Sequence, residues 1–394
     1  MPAQAQSPRL IGVVTVGRSD YDIWRPVLAA LAARDDVRYG MIVGGAHLVT
    51  GHGDGLARIR RDGHPVLDTV DMLLAGDTNV ATALSMGVGL SGFARSFARC
   101  RPDMLLLLGD RFESFAAGAA AVPLGIPLLH VHGGEVTEGA MDERFRHALT
   151  KLSHLHCAAT ALSAARIRRM GEEAWRVHVT GAPGLDVALE NAPMERSAFF
   201  DALGVPDPGP YLLVTYHPVT NEPDPEGHGI TALLRALAQS GLPAFITTAN
   251  ADPGGAEINR KLLQEASLHP ARIRVFESLG PLYPAAMRHA AAMVGNSSSG
   301  IIEACSHGLP VVNIGNRQRG RERSGNLLDC ATEEKAIAAA IRHATSPDFR
   351  HAVSRAINVY GDGRAGPRIA AVVATAELNH RLMAKRFDDG AETS

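Results

Sequence analysis

Short apolar runs that end in Gly or Asp and then give way to amphipathic, helix-length segments recur along this whole chain. That alternation admits little besides parallel α/β domains. In the first half the runs fall at residues 10–16, 39–43, 104–108, 127–131 and 177–180, and in the second at 211–215, 244–248, 273–276, 292–294 and 310–313. The halves repeat one architecture without repeating sequence. At about 150 residues per domain, 394 residues of which 46% are hydrophobic supply a core for each. The expected division is a first Rossmann-like domain at 1–190, a linker at 191–210 marked by Pro193, Pro206, Pro208 and Pro210, and a second Rossmann-like domain at 211–360. Residues 361–394 read as a helical segment packing back on the first domain, with breaks expected at YGDG (Tyr360 to Gly363) and at Pro367.

Several function classes are excluded at this level. A net charge of −2 gives no basic field to gather nucleic acid or an anionic membrane. The charge-free stretch 114–134 has the length of a membrane span, but Pro123, Pro127, His130 and His132 interrupt it, so it reads as a helix followed by a buried strand. MPAQAQSPRL has neither a basic nor an apolar signal region. Cys100, Cys157, Cys305 and Cys330 are far apart, which suits idle thiols in a reducing cytosol, and a cytoplasmic location is expected.

Open α/β sheets bind ligands outside the carboxyl ends of their strands, and the chemistry-bearing residues gather there. VGRSDYD after the first run lacks G-x-G-x-x-G, so NAD and FAD are not expected; Arg18 suits a phosphate, or a salt bridge to Asp20 or Asp22. LLLLGDRFE runs a buried strand into Asp110, Arg111 and Glu113, with Asp110 a site carboxylate or a helix N-cap. In HVHGGEVTEGAMDERFRHALTKLSH, Gly133 and Gly134 turn the chain to present Glu135, and Asp142, Glu143, Arg146, His147 and Lys151 follow on a helix. His130 and His132 alternate on one strand face. No third imidazole or thiolate lies at ligand spacing, so hydrogen-bonded histidines are expected there rather than a metal. YHPVTNE sets His217 just after a strand, as general acid or base or as a structural histidine, and TTANAD places Asn250 at the next strand end. NSSSGIIEA offers Ser297, Ser298, Ser299 and Gly300 at a helix N-terminus as a phosphate cradle, with Glu303 a turn later for a ribose diol; Arg317, Arg319 and Arg321 follow the next strand.

In this order and at these distances, GDRFE, HGGEVTEGAMDERFRHALTKLSH, YHPVT, NSSSGIIEA and NIGNRQRGR resemble the UDP-N-acetylglucosamine 2-epimerase family, and most of all its hydrolysing branch from bacterial sialic and legionaminic acid pathways. The resemblance runs from Arg18 to about Tyr360. It implies a GT-B-like fold, two Rossmann-like domains facing a central cleft, with UDP on the second domain and the sugar on the side of the first. Ser297, Ser298 and Ser299 then become pyrophosphate contacts with Gly300, Arg18 and Arg317, and Glu303 the ribose ligand. Asp110, Glu135 and Asp142 become the sugar-facing carboxylates, and Arg111, His217 and Asn250 complete the lining. The non-hydrolysing branch carries a GDT turn, HVEAGLR and DSGGIQEE where this chain has GDRFE, HVHGGE and NSSSGIIEA.

The chemistry so implied needs no cofactor and no metal. A carboxylate removes the C2 proton, UDP leaves from C1 by anti elimination, and water adds to the 2-acetamidoglucal to give a ManNAc-type sugar. The resemblance also implies a UDP-sugar as the partner, and a homo-oligomer, dimer or tetramer, with neither nucleic acid nor membrane. Three alternatives compete: a non-hydrolysing epimerase releasing UDP-ManNAc, a GT-B glycosyltransferase silent without acceptor, and a sugar-nucleotide sensor. The clustered Asp110, Glu135, Asp142 and His217 argue against the sensor.

Overall fold

A computed structural model describes residues 8–49, 54–76, 78–138, 141–190, 193–219, 227–249 and 254–390. The chain forms two compact units, Met1–Glu190 with Tyr360–Ser394, and Asn191–Val359. Unit 1 carries strands β1 (Arg9–Thr15), β2 (Val37–Gly44), β3 (Val66–Val70), β4 (Met104–Leu108), β5 (Leu128–Val131), β6 (Leu155–Ala158) and β7 (Val177–Val179). Unit 2 carries β8 (Leu212–Thr215), β9 (Ala244–Thr247), β10 (Ile273–Phe276), β11 (Ala292–Gly295), β12 (Val311–Ile314) and β13 (Leu327–Cys330).

The sheet orders are β3-β2-β1-β4-β5-β6-β7 and β10-β9-β8-β11-β12-β13, parallel at every pairing. Each unit is therefore a doubly wound Rossmann-like sheet of the GT-B-like class. Strand order reverses between β1 and β4 in unit 1 and between β8 and β11 in unit 2, which opens a crevice at those strand ends.

Central parallel strands are covered on both faces, so their residues are mostly apolar and alternate between two cores. Leu106 and Leu129 join Ile11, Val13 and Trp24 on one face of the first sheet, while Leu105, Leu107 and Leu128 join Val14, Ile42 and Phe93 on the other. Trp24 is fully buried and its indole N–H donates to the Val14 carbonyl at 2.9 Å, which removes the cost of an orphaned donor. Unit 2 divides likewise, with Leu212, Val214 and Ile246 on one face and Tyr211, Leu213 and Phe245 on the other.

Three expectations need correction. The expected linker contains a helix, Arg196–Leu203, because Phe199 and Phe200 bury themselves in the second core of unit 2. Pro367 does not break the C-terminal helix: it lies in the first turn of Ala365–Thr375, where a missing N–H costs nothing. The helical reading of the final residues holds only as far as the short turn His380–Met383. Helix Ala365–Thr375 adds Ile369, Ala370 and Val373 to the core of unit 1, and Asp186 accepts from the N–H groups of Ala365 and Gly366 at 2.9 and 2.7 Å. Gly366 sits so close to helix Arg18–Ala32 that a Cβ there would come within 2.6 Å of the Pro26 carbonyl. No described helix is long and apolar enough to cross a membrane.

Candidate active site

In unit 1 the β1/β4 reversal brings Arg111 across the backbone of Gly17, where a Cβ would lie 3.5 Å from the guanidinium. Arg111 Nε is 3.6 Å from a Glu113 carboxylate oxygen. Burial pushes both the Glu113 and the Asp20 carboxyl above the usual range, and the charge of Arg111 pulls each back down. Arg18, at the start of helix Arg18–Ala32, is exposed. The carboxylates that competed for it are engaged elsewhere: Asp22 pairs with Arg58 at 2.6 Å, and Asp20 faces Arg111.

Beyond β4 the chain turns through Gly109, with φ 67°, into Asp110. Asp110 does not cap the following helix; it forms an ion pair with Arg146. Arg146 is buried on the helix Met141–Leu152 and is the hub of this end of the sheet. It donates also to the Glu135 carbonyl at 3.0 Å, to Thr137 Oγ1 at 3.0 Å and to Glu143 Oε2 at 3.1 Å. Glycine is obligatory at 134, where φ is 76° and a Cβ would meet the Ser163 carbonyl at 2.3 Å; this turn delivers Glu135. Burial is the main cause raising the Asp142 carboxyl, and the Asp110 charge adds to it.

His130 and His132 do not share a strand face, because β5 ends at Val131 and His132 has left the strand with φ 64°. His130 is fully buried, its Nε2 lies 2.7 Å from the Gly109 carbonyl, and burial pushes its pKa down to about 3. His132 Nδ1 lies 2.5 Å from Glu135 Oε1. Asp110, Arg111, Glu135 and Asp142 thus gather at the ends of β4 and β5. Sequence reasoning did not give Arg146 a site role. Its signal was the pairing distance from Glu143, three residues earlier on the same helix.

In unit 2 the β8/β11 reversal depends on Gly295, where φ is 143° and a Cβ would fall 2.0 Å from the Thr215 carbonyl. Asn296 follows, and it fixes His217 through two bonds, N–H of His217 to Oδ1 at 2.7 Å and Nδ2 to the His217 carbonyl at 2.8 Å. Arg317 and Gln318 donate to the Asn296 carbonyl at 3.2 and 2.9 Å. The expected helix after the serines is only one turn, Ser298–Ile302. Ser297 caps it, Ser297 Oγ and Ser299 Oγ are 2.9 Å apart, and Tyr283 OH, which sequence reasoning missed, is 2.8 Å from Ser299 Oγ. Ser298 is half-buried, and Gly300 is packed within reach of Val311. Glu303 stands at the end of the turn, and burial pushes its carboxyl up to about 7. Arg319 is exposed and Arg321 half-buried. Asn250 lies outside the described residues.

The sequence profile of a family described as UDP-N-acetylglucosamine 2-epimerase matches residues 29–374. The chain is 36% identical to the UDP-N,N'-diacetylbacillosamine 2-epimerase (hydrolyzing) of Legionella pneumophila, over 96% of this chain and 98% of that protein. It is 32% identical to the GDP/UDP-N,N'-diacetylbacillosamine 2-epimerase (hydrolyzing) of Campylobacter jejuni, over 82% of this chain and 84% of the relative. Among solved structures, the UDP-GlcNAc 2-epimerase from Neisseria meningitidis bound to UDP-GlcNAc shares the fold with a TM-score of 0.72 at 19% identity, over 92% of this chain and 99% of that one.

Proposed function

The chain belongs to the UDP-N-acetylglucosamine 2-epimerase family, and from that premise we propose that it is a hydrolysing 2-epimerase, converting a UDP-2-acetamido sugar into the free 2-epimeric sugar and UDP. The observation that carries this reading is the set of carboxylates at the ends of β4 and β5, where Asp110 and the Glu135 turn share the Arg146 guanidinium and Asp142 lies within reach of the Asp110 charge. The C2 proton of such a sugar is weakly acidic, so its removal needs an aimed, partly desolvated base, and its replacement on the other face needs a second group that still holds a proton. The burial that raises Asp142 suits a proton donor.

Departure of UDP builds negative charge on the β-phosphate, which fixed cations and N–H groups stabilise without reorganisation. Arg111 and Arg18 in unit 1 and Arg317 in unit 2 are our assignments for that work. Ser297, Ser298, Ser299 and Gly300 are assigned to the pyrophosphate, Glu303 to the ribose and His217 to the polar lining. Asn250 joins them on the sequence resemblance alone. The hydrolysing outcome and a 2,4-diacetamido-6-deoxy substrate are supported by the names of the Legionella and Campylobacter relatives. The relatives and the structure described above are 2-epimerases, which gives the transferase reading no support.

Turnover of UDP-GlcNAc and of UDP-2,4-diacetamido-6-deoxyglucose in deuterated, oxygen-18 water tests the reaction. Deuterium at C2 and oxygen-18 on the free sugar are expected, with the diacetamido substrate preferred. Deuterium at C2 with the sugar still joined to UDP would move the protein to the non-hydrolysing branch. Turnover without C2 exchange would remove the epimerase reading.

A further inference from the structure

His132 stands one residue beyond the end of β5 in the left-handed region, a conformation that residues with a Cβ adopt at a cost. Because of that turn the imidazole leaves the sheet beside Glu135, and its Nδ1 sits 2.5 Å from the carboxylate. A carboxylate accepting from Nδ1–H fixes the tautomer and leaves a lone pair on Nε2. Among the described residues Nε2 has no hydrogen-bond partner. Both side chains are mostly enclosed, His132 at 14% and Glu135 at 16% exposure, so the pair is shielded without being sealed off. Arg146 donates to the Glu135 carbonyl and to Asp110 at once, which ties the pair to the neighbouring strand end. This is the arrangement of a base oriented by a carboxylate behind it.

We infer that His132 is the group that takes the C2 proton, through Nε2, with Glu135 as its positioning partner; the inference rests on the 2-epimerase reading above. The C2–H bond breaks as the proton moves to Nε2, and its electron pair becomes the second C1–C2 bond. The C1–O bond breaks with its pair leaving on UDP. The positive charge on the imidazole is stabilised across the short bond to Glu135. Asp142 then gives its proton to C2 on the opposite face as water supplies hydroxyl to C1. The proton left over from that water restores Asp142, and His132 releases its own to solvent.

The test compares wild type, His132→Asn, His132→Glu and Glu135→Gln. Asparagine is chosen because it tolerates a positive φ better than other residues with a Cβ. Each protein is given the UDP-sugar in deuterated water and, separately, the 2-acetamidoglucal. His132→Asn is expected to slow C2 exchange and UDP release by ~10²-fold or more while hydrating the supplied glycal within a few-fold of wild type. His132→Glu should recover part of the elimination, and Glu135→Gln should lose part of it. Elimination by His132→Asn at near wild-type rate would overturn the assignment. So would equal loss of both steps in a protein that melts normally and binds UDP as wild type does. A wild type that exchanges no C2 proton fails at the earlier step, the reaction class, before any variant is compared.

Discussion

Asn296 and His217 are joined by a reciprocal pair of hydrogen bonds, each lending a donor to the other's acceptor, at 2.7 and 2.8 Å. The amide side chain, buried on the loop after β11, thereby bonds the backbone of the loop that follows β8. Asn296→Ala would leave a backbone N–H and a carbonyl in unit 2 unsatisfied, at about 1–3 kcal/mol. A lower melting temperature and a displaced His217 are expected. Asn296→Asp keeps only the acceptor and should recover only part of the loss in a thermal melt. The bonds from Arg317 and Gln318 go to the Asn296 backbone and should survive both changes.

Glu303 carries a pH dependence whose sign is fixed by burial. Its carboxyl moves from an ordinary 4.5 to about 7 in the folded protein. Between those values the folded state holds a proton that the unfolded state has lost, so this contribution to stability is complete below pH 4.5 and fades as pH rises through 7. Glu303→Gln removes the dependence, and the gap between the two melting curves of the ligand-free proteins should open toward higher pH. UDP should bind wild type better above pH 7, where the ionised carboxylate accepts from the ribose diol. In calorimetry at pH 8 the Gln variant should be weaker by about 1.5–3 kcal/mol.

Arg146 reaches four acceptors with one planar fork, and an ammonium cannot hold that geometry. Arg146→Lys should leave UDP affinity unchanged, since Arg146 itself is assigned to none of the nucleotide contacts. It should lower kcat by roughly 10–100-fold through misplacement of Asp110 and the Glu135 turn. Steady-state kinetics with UDP as competitive inhibitor separates the two effects.

Chelation should not matter. His130 Nε2 is committed to the Gly109 carbonyl and His132 Nδ1 to Glu135, and His132 has left the strand on which the two imidazoles could have faced one ion together. Activity after dialysis against EDTA is expected to equal that of the untreated enzyme. Loss that one divalent ion restores would return His130, His132 and Glu135 to consideration as ligands.

The central strands were legible because residues such as those of MLLLL and AFIT are apolar on both faces, a pattern only a buried parallel strand requires. The strands missed were β3, β6 and β13. VLDTV and LLDC form β3 and β13, each at an edge of its sheet, where half-exposure admits an aspartate and dilutes the signal. LHCA forms β6 and follows a helix so closely that its apolar residues read as more helix. Motif spacing placed Asp110, Glu135 and Asp142 near the ends of neighbouring strands and the serines at the start of a helical turn, where the structure has them. What spacing cannot show is who holds whom: that Arg146 gathers the first two, that Tyr283 meets Ser299, and that His132 abandons the strand its neighbour His130 keeps.

Helix Ala365–Thr375 returns to the first unit after the whole of the second has been made. On the ribosome, unit 2 is one uninterrupted stretch and has all its sequence by Val359, whereas unit 1 waits with Trp24 and its neighbours short of their last covering layer. The earlier-born unit is therefore the later to mature. A nascent chain halted before Ala365 would carry a finished second unit behind an unfinished first, an exposed apolar surface of the kind that chaperones bind.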